Sequence, residues 1–201
     1  MIDNQQKSFK LKSGQGYALV DAAGFIPVDD AAFGVFHRGK RLVGQWTMSL
    51  SDTPLTLVKA DASNKGELVF DYAAPGFELT RRLTMAAGQV HEHLSMRSEK
   101  QALLQLQIAS GFDTARGKIV GRYREGHHLT ETFAENDGVT KIRAAYSFSA
   151  ATMRDPRHTS FIINAGEQRD IFATYGVAPT VLTDPTADSY DRARQGRTPR
   201  P

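Results

Sequence analysis

Apolar and polar residues alternate along most of this chain. The clearest run sets Leu42, Gly44, Trp46, Met48 and Leu50 on one parity against Val43, Gln45, Thr47 and Ser49 on the other. That is the pattern of a strand with one buried face. The only tryptophan lies inside it, which marks the segment as a core strand. The same alternation predicts strands at 9–12, 17–20, 55–58, 67–72, 77–85, 90–96, 101–109, 118–122, 129–133, 141–148, 160–164 and 171–175. Residues 25–28 read as extended, but Pro27 confines them to an edge or a loop entry. Gly14 and Gly16, Asp21 to Gly24, Asp61 to Gly66, Pro75-Gly76, Ala87-Gly88, Glu125-Gly126, Asn136 to Gly138, Asp155-Pro156 and Ala165-Gly166 supply the turns. The pair 77–85 and 90–96, joined at Ala87-Gly88, predicts an antiparallel hairpin.

No window holds a helical period over three turns; the best, 188–195, is polar and near the end. About a dozen short strands at this spacing predict an all-β, antiparallel sandwich with little helix. Trp46 is expected at the centre of a core with Leu42, Met48, Leu83, Leu104 and Leu106.

Composition narrows the picture. At 201 residues, 40% hydrophobic and 23% charged, the chain suits one globular domain with a substantial core. No apolar run approaches the roughly 18 residues of a membrane span, and residues 1–7 are polar, so neither membrane nor signal peptide is expected. The absence of cysteine suits a reducing compartment, and a cytoplasmic location is expected. The basic pI is carried by the tail. Four arginines against one aspartate in 189–201 account for the net charge of +3 and leave 1–188 balanced, which excludes an electrostatic case for nucleic acid. The expected division is an N-terminal extension at 1–8, a sandwich at 9–180 and a linker-like basic tail at 181–201.

Candidate chemistry is sparse. His91 and His93 flank Glu92 on a predicted strand, so the two imidazoles share a face. A metal would need a third ligand from His37, His127, His128 or His158, and no metal or other cofactor is expected. Asp71, Glu92, Asp113 and Glu131 are the carboxylates available for paired acid–base work, but the sequence does not bring any two together. Phosphate-loop and nucleophile-elbow patterns are absent. The densest polar cluster is His37, Arg38, Lys40 and Arg41 around Gly39, just before the tryptophan strand. A second is Asp113 to Lys118, where Asp113 and Arg116 pair with each other or with the first cluster. Both a solvated turn and a sugar- or partner-facing rim fit these residues, since Asp and Arg offer paired, directional hydrogen bonds to hydroxyls.

Taken together, these segments resemble the N-terminal domain of bacterial and archaeal glycogen-debranching-like proteins, the amylo-α-1,6-glucosidase group. That family carries Gly-Leu-Phe-His-Arg-Asp-Thr-Arg before a strand; here it reads Gly34-Val35-Phe36-His37-Arg38-Gly39-Lys40-Arg41. Leu79 to Thr84, then His91 to Ser98, resemble its Arg-rich strand and the strand Glu-Arg-Leu-Thr-Leu-Arg-Asn. Ile108 to Gly121 loosely resembles an apolar strand ending in Asp-Phe-Ala-Asp with a following Val-Arg-Gly, and Asp137-Gly138 matches a late turn. The likeness runs in order over 9–178. It departs where the family's Asp-Thr becomes Gly39-Lys40 and where its acidic cluster thins to Asp113.

The resemblance implies a β-supersandwich without catalytic residues of its own. It implies a following (α/α) toroid that carries the acids, with 188–201 as the linker. His37, Arg38, Arg41, Asp113 and Arg116 are then the residues expected to face a partner domain or an α-glucan. Two other readings compete: a mutarotase-like sugar epimerase using a His and a Glu, and a stand-alone assembly module that forms homo-oligomers.

Overall fold

The computed structural model describes residues 8–50, 53–125, 128–148 and 158–178. The expected tail at 181–201, its short helical window, and the turns at Gly126 and Asp155-Pro156 lie outside the described residues. Among those described there are fourteen strands and no helix. They are β1 (Ser8–Ser13), β2 (Gly16–Asp21), β3 (Gly34–His37), β4 (Lys40–Leu50), β5 (Thr56–Asp61), β6 (Glu67–Ala74) and β7 (Phe77–Ala86). β8 (Gln89–Ser98), β9 (Ala102–Ser110), β10 (Gly117–Glu125), β11 (His128–Glu135), β12 (Lys141–Phe148), β13 (His158–Ile163) and β14 (Gln168–Val177) complete the set.

They form two antiparallel sheets. One has six strands in the order β1-β2-β3-β4-β9-β13, the other eight in the order β10-β11-β12-β14-β8-β7-β6-β5. The fold is an all-β sandwich, as the alternation predicts. The inward parities of both sheets make one continuous core: Phe9, Leu11, Val20 and Val35 from one side meet Leu68, Phe70, Leu79 and Leu83 from the other. Trp46, Leu42 and Leu104 are fully buried, with Met48, Leu83 and Leu106 beside them.

One detail departs from the sequence reading. The segment before the tryptophan strand is a strand of its own, β3, paired to β4 through Val35↔Val43 and His37↔Lys40. Between them Arg38 and Gly39 form a two-residue turn with φ of 49° and 75°, the left-handed pair that matches strand twist in a tight hairpin. Ala87 and Gly88 build the same turn between β7 and β8. Residues 25–28 contribute one bridge, Ile26↔Trp46, where the edge of β4 continues past β3. The outermost strands of the eight-stranded sheet, β5 and β10, each carry a register shift, between Leu57 and Lys59 and between Ile119 and Gly121. Bulges there twist the unpaired edges away from further strand pairing.

Candidate functional site

Three turns meet at one end of the sandwich. Gly111 donates its amide to Leu42 O at 2.9 Å, which seats the β9–β10 loop beside the β3–β4 hairpin. Lys40 pairs with Glu135 at the end of β11. The Asn136 amide and side chain donate to the carbonyls of Arg116 and Ala115 at 2.8 and 3.1 Å. The segments carrying His37, Arg38, Arg41, Asp113 and Arg116 therefore share one rim.

The side chains do not converge on one point. Arg38, at the hairpin tip, donates from Nε to Gln15 Oε1 at 2.6 Å. Arg41 turns along the strand end and donates to three carbonyls, Phe33 O and Gly44 O at 2.8 Å and Asp30 O at 2.9 Å. Its aliphatic stem lies against Gly34 and Gly111, where a β-carbon on Gly111 would meet Arg41 Cγ at 2.7 Å. Partial burial lowers the Arg41 pKa, with Asp30 opposing. His37 packs over the β7–β8 turn: a β-carbon on Gly88 would fall 2.8 Å from its Nδ1. That nitrogen is buried without a hydrogen-bond partner among the described residues. Burial first, and Arg38 second, lower the His37 pKa and favour a neutral ring. Asp113 and Arg116 form an exposed pair at 3.2 Å. Among the described residues no ion pair joins them to Arg38 or Arg41.

A second polar constellation lies inside the sandwich. Arg81 on β7 and Glu92 on β8 occupy inward positions, and both side chains are completely buried. The guanidinium bonds Glu92 Oε1 and Gly24 O, and reaches Tyr175 Oη at 3.3 Å. Its Cζ sits 3.5 Å from the centre of the Trp46 ring, a desolvated cation–π contact. Burial alone would lower the Arg81 pKa, but Glu92, Tyr175 and Tyr72 outweigh it and raise the value. Burial raises the Glu92 pKa, against the pull of Arg81. The Tyr72 hydroxyl donates to Ala23 O at 2.6 Å, and burial pushes its pKa up to about 12. Among the described residues Glu92 Oε2 and Trp46 Nε1 make no hydrogen bond of proper geometry, although Trp46 and Tyr175 lie near enough to favour the charged carboxylate. The sequence carried a signal for this pair: two charged residues at core parity on the two strands of one hairpin.

Strand alternation separates Glu92 from its neighbours. His91 and His93 point out of the opposite face, where His93 Nε2 lies 2.8 Å from Asp170 Oδ1 and Thr174 Oγ1 lies 3.4 Å from His91 Nδ1. Among the described residues no three His, Asp or Glu side chains gather as a metal site. Asp71 accepts a bond from Thr80 at 2.7 Å, and buried Glu131 accepts one from Arg122 at 2.8 Å.

The rim, the buried pair and the two sheets are features of a chain that resembles known proteins over part of its length. A family model described as the N-terminal domain of (some) glycogen debranching enzymes matches residues 11–116, just over half of the chain. No curated protein matches the chain. Among solved structures, one described as a "putative kojibiose phosphorylase from human microbiome" superimposes with a TM-score of 0.56 at 8% identity. It covers 95% of this chain and 33% of its own. A GH36 α-galactosidase from Geobacillus stearothermophilus, in complex with raffinose, matches with a TM-score of 0.33 at 8% identity, covering 85% of this chain and 41% of its own. The chain thus spans well under half the length of these structures, and the first of them shares its fold. By the family match the chain belongs to the N-terminal domain family of glycogen debranching enzymes.

Proposed function

We propose that this sandwich is the non-catalytic accessory module of a debranching-type glycosidase, packing on a helical catalytic domain and helping to shape its α-glucan cleft. The family match over residues 11–116 carries the reading. The site geometry supports it. Glu92, the carboxylate nearest in sequence to two histidines, is sealed against Arg81, while the histidines face away from it. That separation favours the accessory role over a His/Glu epimerase. In this proposal Arg38, Asp113 and Arg116 meet the partner domain or glucan, because they are exposed at the rim. His37 and Arg41 hold the turns that present them. The module works in the cytoplasm.

The test is to mix the purified chain with an isolated (α/α) catalytic domain of a debranching-type glycosidase and to assay each alone on maltooligosaccharides and pullulan. The expected result is association in trans, weakened by Arg38→Ala or Arg116→Ala, and no sugar release by the chain alone. Glucose release by the chain alone, abolished by one carboxylate substitution, overturns the reading; so does failure to associate.

A further inference from the structure

The two outer faces of the sandwich differ in charge. On the eight-stranded sheet, the outward residues of β6, β7, β8 and β14 include Glu67, Asp71, Glu78, Arg82, Arg97 and Asp170. On the six-stranded sheet, no described outward side chain of β4 from Gln45 onward, of β9 or of β13 carries a formal charge. Register sets these neutral side chains in rows across the three strands. Thr47 stands beside Gln107, then come Ser49, Gln105 and Ser160, then Leu103 beside Ile162.

The face is open. Ser49, Gln105 and Ser160 are exposed, and Ile162 is 54% exposed. A shallow depression of about 330 Å³ runs over Thr47, Ser49, Gln105 and Ser160. A strand face that stays in water carries charges, as the other sheet does, whereas the covered centre of a protein interface is depleted of them. Among its described side chains the face has no cation to hold a polyanion and no aromatic ring on which a pyranose could stack. Its size selects between protein partners. Six residues of strand by three strands is roughly 20 by 14 Å, so the face covers about 300 Å², or about 600 Å² counting both sides of a contact. That falls short of the roughly 1,200–2,000 Å² of a free-standing complex. It meets the lower end of the roughly 600–1,500 Å² between domains of one chain, contacts that are also more polar than permanent ones.

We propose that this neutral face of β4, β9 and β13 packs against an uncharged surface of the catalytic domain. The inference rests on the accessory reading above and names the surface that the module uses. Two free copies of the chain would not hold together by so small a face, whereas a tethered domain needs little area because the tether keeps its local concentration high. The face also borders the rim. β4 leaves the rim at Lys40 and Arg41, and β9 returns to it at Ser110, next to the Gly111–Leu42 bond. One partner therefore covers both. The rim charges set its orientation, and the hydroxyls, amides and the Leu103–Ile162 pair supply a surface that loses water without stranding a charge. A charge placed in the middle of the face would be buried unpaired on docking, which is costly.

The test is titration calorimetry of the full chain against the isolated (α/α) catalytic domain, with Gln105→Arg and Ser160→Arg on this face and Thr84→Arg on the opposite outer face as a control. Both face variants are expected to weaken association at least tenfold, and Thr84→Arg to leave it unchanged, with all three keeping the parent's circular dichroism spectrum. Hydroxyl-radical footprinting of the unmodified chain needs no substitution and decides should the variants misfold: oxidation of Ile162 is expected to fall several-fold when the catalytic domain is added. Association weakened by Arg38→Ala but by neither face variant, with Ile162 still oxidised, confines the contact to the rim; that overturns this face and leaves the accessory function standing. No association of the unmodified chain overturns both. A dimer of the chain alone that Ser160→Arg dissociates makes a second copy the occupant and overturns the proposal. Glycogen binding lost in Gln105→Arg, with association to the catalytic domain unchanged, makes the face a sugar site and overturns it likewise.

Discussion

Glu92→Gln removes one charge from the middle of the sandwich and leaves its size intact. Arg81 cannot follow by losing its proton near neutral pH, because a guanidinium stays charged in proteins. A charge with 0% side-chain exposure is left facing a neutral amide. Breaking a buried ion pair in this way costs about 3–5 kcal/mol, a large share of the ~5–15 kcal/mol that holds a domain folded. For a chain of this size that lowers the melting temperature by about 6–20 °C. Arg81→Met should behave differently. It leaves Glu92, whose pKa burial already raises, without its counter-charge. A carboxyl with a raised folded pKa contributes stability below its unfolded pKa and loses it as pH rises through the folded value. The Arg81→Met deficit should therefore shrink at pH 5 and widen at pH 8. Urea unfolding at both pH values, with the slope checked for constancy, measures the two. The double variant Arg81→Met/Glu92→Leu should recover part of the loss but not all, since Gly24 O and the Tyr175 hydroxyl lose the guanidinium. A Glu92→Gln change below about 1 kcal/mol would refute the argument, because that is the range of a solvent-screened surface pair.

Trp46→Ala should cost about 3–5 kcal/mol by opening the core around Arg81; emission of the wild-type indole at the wavelength of free tryptophan would contradict its burial. Arg41→Ala strips donors from three carbonyls and should lower stability by about 1–3 kcal/mol, whereas Arg38→Ala, at an exposed hairpin tip, should leave the melting temperature within about 1 °C; equal effects would contradict the difference in their bonding. Burial raises the Tyr72 pKa to about 12 and that of Tyr175 well above its ordinary value, so their contribution is full below pH 10 and disappears as pH climbs through the folded values. Absorbance titration at 295 nm should show at least two of the six tyrosines ionising only as the protein unfolds. Gly88→Ala combines a φ of 80° with contacts of 2.8 Å to His37 and Val177 and should be more destabilising than Gly138→Ala, whose added carbon meets nothing; thermal melts compare them directly.

Strand positions were readable because a half-buried strand imposes a period of two that few other structures imitate. The hairpin of β7 and β8 was readable because Ala87-Gly88 leaves the chain little choice but to reverse. The partners of β4 were not. Its long-range neighbour, β9, lies beyond a four-strand excursion into the other sheet, and no local pattern encodes that pairing. The rim shows the same division. The sequence displayed a cluster of cations around Gly39, and the structure does gather their segments with the Asp113 loop. Which way each guanidinium turns depends on where loop carbonyls end up, and Arg41 finds three of them. Arg81 and Glu92 were legible in part: each interrupts an apolar parity, between Leu79 and Leu83 and between Val90 and Leu94. Their meeting required knowing that both parities face inward beneath Trp46.

That excursion also orders the events of folding. β5 to β8 pair with one another in chain order, so their meander forms by closing short loops, and only β8 also receives a distant strand, β14. β4 and β9 are joined through all of it, and closing a long flexible loop carries a larger entropy loss than closing a compact one. Once the meander has collapsed, the two ends of that loop are tethered by a small structured unit rather than a free coil. The β4–β9 pairing is then expected to close late, although β1 to β4 pair locally, and Trp46, on β4 and in contact with Arg81 of the meander, is placed at that seam. The lone indole is thus a built-in clock for the slow step, reporting the docking of the sheets rather than the formation of either.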